Sequence, residues 1–233
     1  MPFDMSTTAG SIPVIALSED ARTAFLRRTY AHLLAAVLGF VAIEVVLFQT
    51  GLAYPIAIGM LSVPWMLILG AFMVTGWLAR SVASSGASPA IQYAGLGGYV
   101  VAEALIFVPV LVIASIKAEG VLPVAALATV GAFTALTAVV FVTRKDFSFM
   151  RSILTWGGIV ALVLIVASAL VGFDLGVFFS VAMNAFAGAA ILYDTSNVLH
   201  HYPEDRHVGA ALELFASVAL LFWYILRLFM GRR

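Results

Sequence analysis

The sequence predicts an all-α polytopic membrane protein, a bundle of seven transmembrane helices. Of its 233 residues, 63% are hydrophobic and 10% are charged, and the mean hydropathy is +1.10. Soluble domains are nearer half apolar and a quarter charged, so a soluble chain of this length could not bury so much apolar surface. The formal net charge is zero, which indicates no nucleic-acid partner. The partner that the composition indicates is the lipid bilayer.

Seven apolar stretches are each long enough to cross a bilayer as a helix, which takes about 20 residues. Residues with turn-forming or charged side chains separate them. The predicted spans are 29–49, 55–79, 90–116, 120–142, 149–172, 175–199 and 208–230. Together they form a predicted transmembrane domain, residues 29–231. Residues 1–28 lack the pattern of a cleavable signal and are predicted to form a short N-terminal tail.

The distribution of arginine and lysine predicts that the N-terminus is cytoplasmic. Eight of these side chains fall on the side of the N-terminus and four on the other side. The eight are Arg22, Arg27, Arg28, Arg80, Arg144, Lys145, Arg151 and Arg206, and the four are Lys117, Arg227, Arg232 and Arg233. Seven spans then place the C-terminus on the opposite side. The alternative is a re-entrant last segment with both termini inside.

Two carboxylates inside predicted spans point to a functional site. Asp194 lies about five residues from the end of the sixth span, and Glu213 about five residues into the seventh. With a helix rise of about 1.5 Å per residue, both are roughly 7 Å inside the same end. The short connection predicts that the two helices are antiparallel neighbours. Two carboxylates that face each other cannot both ionise cheaply, which suits a proton sensor or an oxygen-ligated cation gate.

Other polar residues inside the spans leave alternatives open. Ser217 and Arg227 share a helix face with Glu213, which should point into the bundle. Glu103 and Glu44 either pair with Arg227 or line a polar path across the membrane. Arg80 is placed either to hold Asp194 or to anchor its helix at the membrane surface.

Two further features have structural interpretations. The loop His200–His207 has the composition of a metal or pH site, but loops of this kind are more often solvated, and no metal site is expected. Gly95, Gly97 and Gly98 would allow a close approach between helices.

The sequence predicts no enzyme and no cofactor. The absence of cysteine excludes thiolate catalysis, disulfides and cysteine zinc sites. A His-Glu-x-x-His zinc motif is absent. The Val171-Gly172-Phe173-Asp174 segment lacks the second glycine of an intramembrane aspartyl protease motif and lies in a turn.

Three segments resemble the Bax inhibitor-1 family. They are Leu192-Tyr193-Asp194-Thr195-Ser196-Asn197, the opening of the last span at Ala210–Phe215, and Thr143-Arg144-Lys145-Asp146-Phe147-Ser148-Phe149. The third is similar to the bacterial, YccA-like branch of the family. The resemblance implies a bundle of seven helices with the last helix enclosed by the others, in a bacterial inner membrane. With seven spans and a cytoplasmic N-terminus, the C-terminus is expected to be periplasmic.

The resemblance also implies two roles. One is a proton-sensitive calcium leak that uses an aspartate pair, of which the first maps onto Asp194 and the second onto Ser217. Since position 217 carries a serine here, Glu213, one turn earlier on the same face, is the residue that spacing suggests as its substitute. The other role is binding and restraining the membrane AAA protease FtsH, with the N-terminal tail as the contact. On the sequence, a non-enzymatic protease modulator is the preferred function and a pH-sensitive cation leak the alternative.

Overall fold

The computed structural model describes residues 13–84 and 88–231, and these residues form an all-α protein. A single-turn 3-10 helix, Val14–Ala16, precedes the first long helix, and a second one, Glu204–Arg206, precedes the last. The α-helices are α1 (Glu19–Gln49), α2 (Ala53–Ser62), α3 (Trp65–Ser84), α4 (Pro89–Lys117), α5 (Val121–Thr143), α6 (Met150–Val171), α7 (Gly176–His200) and α8 (His207–Met230). The first twelve residues of the predicted tail, residues 85–87 between α3 and α4, Arg232 and Arg233 lie outside the described residues. The predicted fold class is confirmed.

The first helix begins ten residues before the predicted start of the first span. Ser18 caps α1, its side chain accepting a hydrogen bond from the backbone N–H of Ala21, and Glu19 and Asp20 occupy the first turn. Acidic residues in this position interact favourably with the helix dipole. Residues 19–28, which were predicted as part of the tail, therefore continue the transmembrane helix.

The second predicted span is broken rather than continuous. It comprises α2 and α3, whose axes meet at 105°. The break falls at Val63, which is extended (φ −90°, ψ 142°) and precedes Pro64. Proline disfavours a helical residue before it and supplies no N–H for the helical hydrogen bond. In the described part of the chain, six helices are long and apolar enough to cross a membrane, and the bent pair would make a seventh span.

The last helix is the centre of the bundle, as the sequence predicts. It contacts α1, α3, α4, α5 and α7. Buried small residues lie along it at Gly209, Ala210, Ala211, Ala216 and Ala219. Their short side chains let neighbouring helices approach closely, which is how helices associate in a lipid environment. The face of α8 that carries Glu213, Ser217 and Arg227 is therefore enclosed by protein.

Helices α3 and α4 approach each other at Gly95. A Cβ atom at this position would lie 3.0 Å from a methyl group of Val82 and 3.5 Å from the carbonyl oxygen of Ala79. Gly97 and Gly98 have no atom within 4 Å of the same position, so they face away from this contact. Of the three glycines that were expected to permit close packing, the structure uses Gly95.

Replacing Gly95 with leucine should push α3 away from α4. We expect the free energy of unfolding to fall by roughly 1–3 kcal/mol relative to a Gly98→Leu control, a typical cost of overpacking. Both changes gain the same helix propensity, so their difference isolates the packing effect. SDS titration of the protein in mixed micelles, followed by helicity, measures this difference. Equal stability of the two variants would show that the α3–α4 contact is not tight.

Candidate functional site

The pair α7 and α8 brings Asp194 and Ser217 into direct contact. The two helices run antiparallel and pack along each other, joined by the short segment 201–206. The hydroxyl group of Ser217 donates a hydrogen bond to Oδ2 of Asp194. Both residues are buried, with 9% and 8% of their surfaces exposed. The two positions that the family resemblance singles out are therefore partners, although position 217 carries no charge.

The second carboxylate, Glu213, lies one turn before Ser217 on α8 and interacts electrostatically with Asp194. It also interacts electrostatically with the phenol of Tyr202, in the loop between α7 and α8. Burial, followed by the negative charge of Glu213, raises the pKa of the Tyr202 phenol. Asp194 and Glu213 thus interact with each other, and the hydroxyl partner of Asp194 is Ser217.

Tyr202 is a site residue that the sequence interpretation missed. It belongs to the His200–His207 loop, which was expected to be solvated. The structure instead buries His200, whose Nδ1 donates to the carbonyl oxygen of Ser196 at 2.9 Å, and half-buries Tyr202. One feature of the sequence could have indicated Tyr202 as a site residue: it is an aromatic residue with a hydroxyl group, followed by Pro203, in a loop that otherwise consists of charged residues and histidines.

Arg80, near the end of α3, supplies positive charge to this region. It acts electrostatically on Asp194, Glu213 and Glu103. Tyr99 on α4 is a hydrogen-bond partner of both Arg80 and Glu103. Because Arg80 is exposed, its positive charge lies at the edge of the bundle, whereas the carboxylates of Asp194, Glu213 and Glu103 lie inside it. Its electrostatic interaction with Asp194 agrees with the first alternative for Arg80, and its exposure agrees with a role as an anchor at the membrane surface.

Arg227 has neither of the carboxylate partners that the sequence left open. The partners of Glu103 are Tyr99 and Arg80, at the other end of the bundle. Glu44 is buried on α1, and neither of its carboxylate oxygens has a hydrogen-bond partner among the described residues. Arg227 interacts with Tyr224 on its own helix. The ion pairs considered for Arg227 are therefore not formed in this structure.

The loop between α5 and α6 docks on the end of α7 beside the carboxylates. The hydroxyl group of Ser196 accepts a hydrogen bond from the backbone N–H of Phe147 at 2.9 Å. The ring of His201 donates from Nε2 to Oδ2 of Asp146, also at 2.9 Å. The backbone N–H of Ser148 and the His201 ring hold the pKa of Asp146 below its usual range. Two of the segments that carry the family resemblance are thus in contact.

The carboxylates of this region can each take up or release a proton. Asp194, Glu213 and Glu103 share one end of the bundle with a single neighbouring cation, Arg80, in the part of the chain that the structure describes. Adding or removing a proton on one carboxylate changes its repulsion with the next and the hydrogen bonds it can accept. No three His, Asp or Glu side chains among the described residues lie close enough together to hold a metal ion.

Comparisons with known proteins agree with this architecture. A model of the family described as "Inhibitor of apoptosis-promoting Bax1" matches residues 22–233. An uncharacterized protein of Pseudomonas aeruginosa is 34% identical over 100 residues, which cover 42% of this chain and 44% of that protein. The matched region thus spans less than half of that relative's length. Since the family model matches nearly the whole chain, this multi-pass membrane protein belongs to the Bax inhibitor-1 family.

Proposed function

We propose that this chain is a proton-responsive cation leak of a bacterial inner membrane, controlled by Asp194. The observation that carries this proposal is the buried contact of Asp194 with Ser217, with Glu213 close enough to interact with the same carboxylate. Ionisable groups in the core of a membrane bundle are costly, and they mark ion or proton pathways more often than structural contacts. The geometry thus favours the alternative that the sequence ranked second.

With serine rather than aspartate at position 217, the proposed mechanism needs its second carboxylate from another residue. A family-like aspartate pair would place two carboxylates in direct contact at positions 194 and 217. Here Ser217 is a neutral donor to Asp194, and Glu213 supplies the second carboxylate from one turn earlier. A proton would then be shared between Asp194 and Glu213. Calcium favours oxygen ligands from carboxylates and hydroxyl groups, which this end of the bundle provides.

In this mechanism the protonation of the carboxylates selects between a closed and an open arrangement of α7 and α8. A proton on Asp194 or Glu213 removes their mutual repulsion, and a proton on Asp194 also changes which of its oxygens accepts from Ser217. Each pH unit changes the free energy of one titrating group by up to about 1.4 kcal/mol. Two units can therefore move a balanced two-state gate most of the way from one state to the other.

The decisive measurement is calcium entry into dye-loaded liposomes that contain the purified protein. We expect calcium entry to exceed that of protein-free liposomes and to differ between pH 6 and pH 8. In cells, we expect the N-terminus to lie on the cytoplasmic side of the membrane. Entry at the protein-free level at both pH values would remove the leak from consideration. The variants that assign the effect to Asp194 are treated in the Discussion.

A second candidate function is the modulation of a membrane AAA protease of the FtsH type. It is supported by the YccA-like segment Thr143–Phe149 and by the missing aspartate at position 217. A structural observation also favours it, since residues 13–17 dock at the end of the bundle that carries the carboxylates. A protease bound to the tail would therefore act close to this site. The contact residues that the sequence suggests are Ser18, Glu19, Asp20 and Arg22.

Replacing the exposed residues Glu19 and Asp20 together with alanine should weaken co-purification of the chain with the protease, because two of the suggested contact side chains are removed. A deletion of residues 2–20 would also remove buried Val14 and the helix cap Ser18, so it would disturb the bundle itself. Pull-down from membranes, compared with the unchanged chain at equal expression and equal thermal stability, measures the effect. Co-purification that is unchanged after the double substitution would exclude these two side chains as the contact.

A further inference from the structure

The outer face of α7 forms an apolar groove between α5 and α6. Phe178, Ala182 and Ala185 are exposed on this helix, and their spacing of four and three positions puts them on one face. Both α5 and α6 pack against α7, but they do not pack along each other. The exposed face of α7 between them is here called the α7 groove.

Two close contacts define the walls of the α7 groove. A Cβ atom at Gly188 would lie 3.5 Å from a methyl carbon of Leu136 on α5. A Cβ atom at Gly157 on α6 would lie 3.1 Å from the ring of Phe186. Successive residues are turned by about 100° around a helix, so Gly188 and Phe186 lie on opposite sides of the exposed face. The groove therefore has α7 as its floor and α5 and α6 as its walls.

The loop between α5 and α6 closes one end of the α7 groove. Ser196 lies three turns after Ala185 on the same face of α7. Its hydroxyl group accepts a hydrogen bond from the backbone N–H of Phe147 at 2.9 Å. One residue beyond the helix, the ring of His201 donates to Asp146 at 2.9 Å. These two hydrogen bonds fix the loop across the end of the groove.

The same loop carries positive charge at this end of the groove. Arg144 and Lys145 are exposed, and neither forms an ion pair among the residues that the structure describes. Both carboxylate oxygens of the adjacent Asp146 already accept hydrogen bonds, Oδ1 from the backbone N–H of Ser148 at 2.8 Å and Oδ2 from His201. The two basic side chains therefore stand at the closed end of an apolar groove, while the acid beside them has other partners.

We propose that the α7 groove binds an anionic phospholipid, with its phosphate on Arg144 and Lys145 and its acyl chains along α7. Basic residues next to a membrane span attract anionic headgroups, and the apolar remainder of the groove matches the chains. An acidic protein surface would match the two basic residues but not the apolar groove. The lipid site goes beyond the proposed leak and does not depend on it.

Lipid binding is measured by native mass spectrometry of the purified full chain in detergent, titrated with phosphatidylglycerol. Phosphatidylcholine with the same acyl chains, which has no net charge, is the comparison. We expect the unchanged chain to bind phosphatidylglycerol more tightly. Glycerol phosphate carries the negative charge without acyl chains, so it should not displace the bound lipid at equal concentration. Displacement by glycerol phosphate would show a site for free phosphate and overturn the proposal.

Replacing Arg144 and Lys145 together with glutamine should raise the Kd for phosphatidylglycerol by about tenfold or more, because each basic residue near an anionic surface contributes a factor of about five. The Kd for phosphatidylcholine should not change. Arg144→Lys combined with Lys145→Arg keeps both charges and should keep the affinity. Arg22→Gln combined with Arg27→Gln removes the same charge from α1 and should leave the affinity nearly unchanged.

Two further variants test the geometry of the site at constant charge. Ser196→Ala removes the acceptor that holds the N–H of Phe147, so it should weaken phosphatidylglycerol binding by about two- to fivefold, as for the loss of a neutral hydrogen bond. Ala185→Phe fills the groove and should weaken the binding of both lipids. Its matched control is Ala35→Phe, at an exposed position on α1, which should bind both lipids as the unchanged chain does.

Three results would contradict the lipid site. Unchanged affinity for phosphatidylglycerol in the double-glutamine variant would overturn it and leave an acidic protein surface as the partner of Arg144 and Lys145. An equal loss in the Arg22 and Arg27 control would overturn it as well, because binding would then follow the total charge of the protein. Equal effects of Ala185→Phe and Ala35→Phe would show that the lipid does not lie in the α7 groove.

Discussion

Replacing Asp194 with asparagine should abolish the pH dependence of calcium entry into liposomes. A single titrating carboxylate can change a gating equilibrium by at most about a hundredfold between pH 6 and pH 8, tenfold for each unit. We expect the ratio of the entry rates at these two pH values to fall to about one in Asp194→Asn. The asparagine side chain has nearly the same shape and keeps a carbonyl oxygen that can accept from Ser217. The change therefore removes the titration without removing the contact.

The matched control is Asp174→Asn. Asp174 lies in the exposed turn before α7, where its Oδ1 accepts a hydrogen bond from the backbone N–H of Gly176. It makes no contact with the carboxylate cluster, so its replacement should leave the pH response intact. A pH response of unchanged size in Asp194→Asn would show that another group controls entry, and Glu213 would be the next residue to replace.

Replacing Leu212 with alanine should lower the free energy of unfolding by roughly 2–5 kcal/mol, the usual cost of truncating a fully buried leucine. Leu212 is 0% exposed and lies on α8 in the largest apolar cluster. A shorter side chain leaves a cavity between α8 and its neighbours that the surrounding helices cannot fill without moving. SDS titration in mixed micelles, with helicity as the signal, measures the loss of stability.

Leu34→Ala provides the comparison for this stability measurement. Leu34 is 59% exposed on α1, on a surface that faces lipid in a membrane. In a membrane, lipid can fill the space that the shorter side chain leaves at position 34. The free energy of unfolding should therefore change little. If the two variants were equally stable, α8 would not be the packed centre of the bundle.

The helices were predictable because the signals that form them are local. A run of about 20 apolar residues is sufficient to indicate a span, and six of the predicted spans agree with helices in the structure to within a few residues, apart from the early start of α1. The break between α2 and α3 was not predicted. Pro64 marks its position in the sequence, but the apolar run continues on both sides of this proline. Hydropathy reports whether a segment prefers lipid, and it does not report where the helical hydrogen bonds are interrupted.

The carboxylate site was predictable in part. The rarity of acidic residues within apolar runs singled out Asp194 and Glu213, and the short loop between their helices predicted that they would be neighbours. The interaction of Tyr202 with Glu213 was not predictable, because Tyr202 belongs to a loop whose composition resembles a solvated one. The attachment of Val14 to the carbonyl oxygen of Tyr202 was beyond reach for the same reason, since it joins residues that lie almost 190 positions apart in the sequence.

By itself, the sequence determined that this protein is a helical membrane protein of the Bax inhibitor-1 type, with acidic residues inside two consecutive helices. Hydrophobicity and helix periodicity are properties of short segments, so they can be read along the chain. The tertiary structure alone decided the surroundings of each polar group: the hydrogen bond of Ser217 to Asp194, the electrostatic interactions of Tyr202 with Glu213 and of Arg80 with the carboxylates, and the absence of Glu44 and Glu103 beside Arg227. These contacts depend on the rotation and depth of packed helices, where a change of one residue turns a side chain by about 100°.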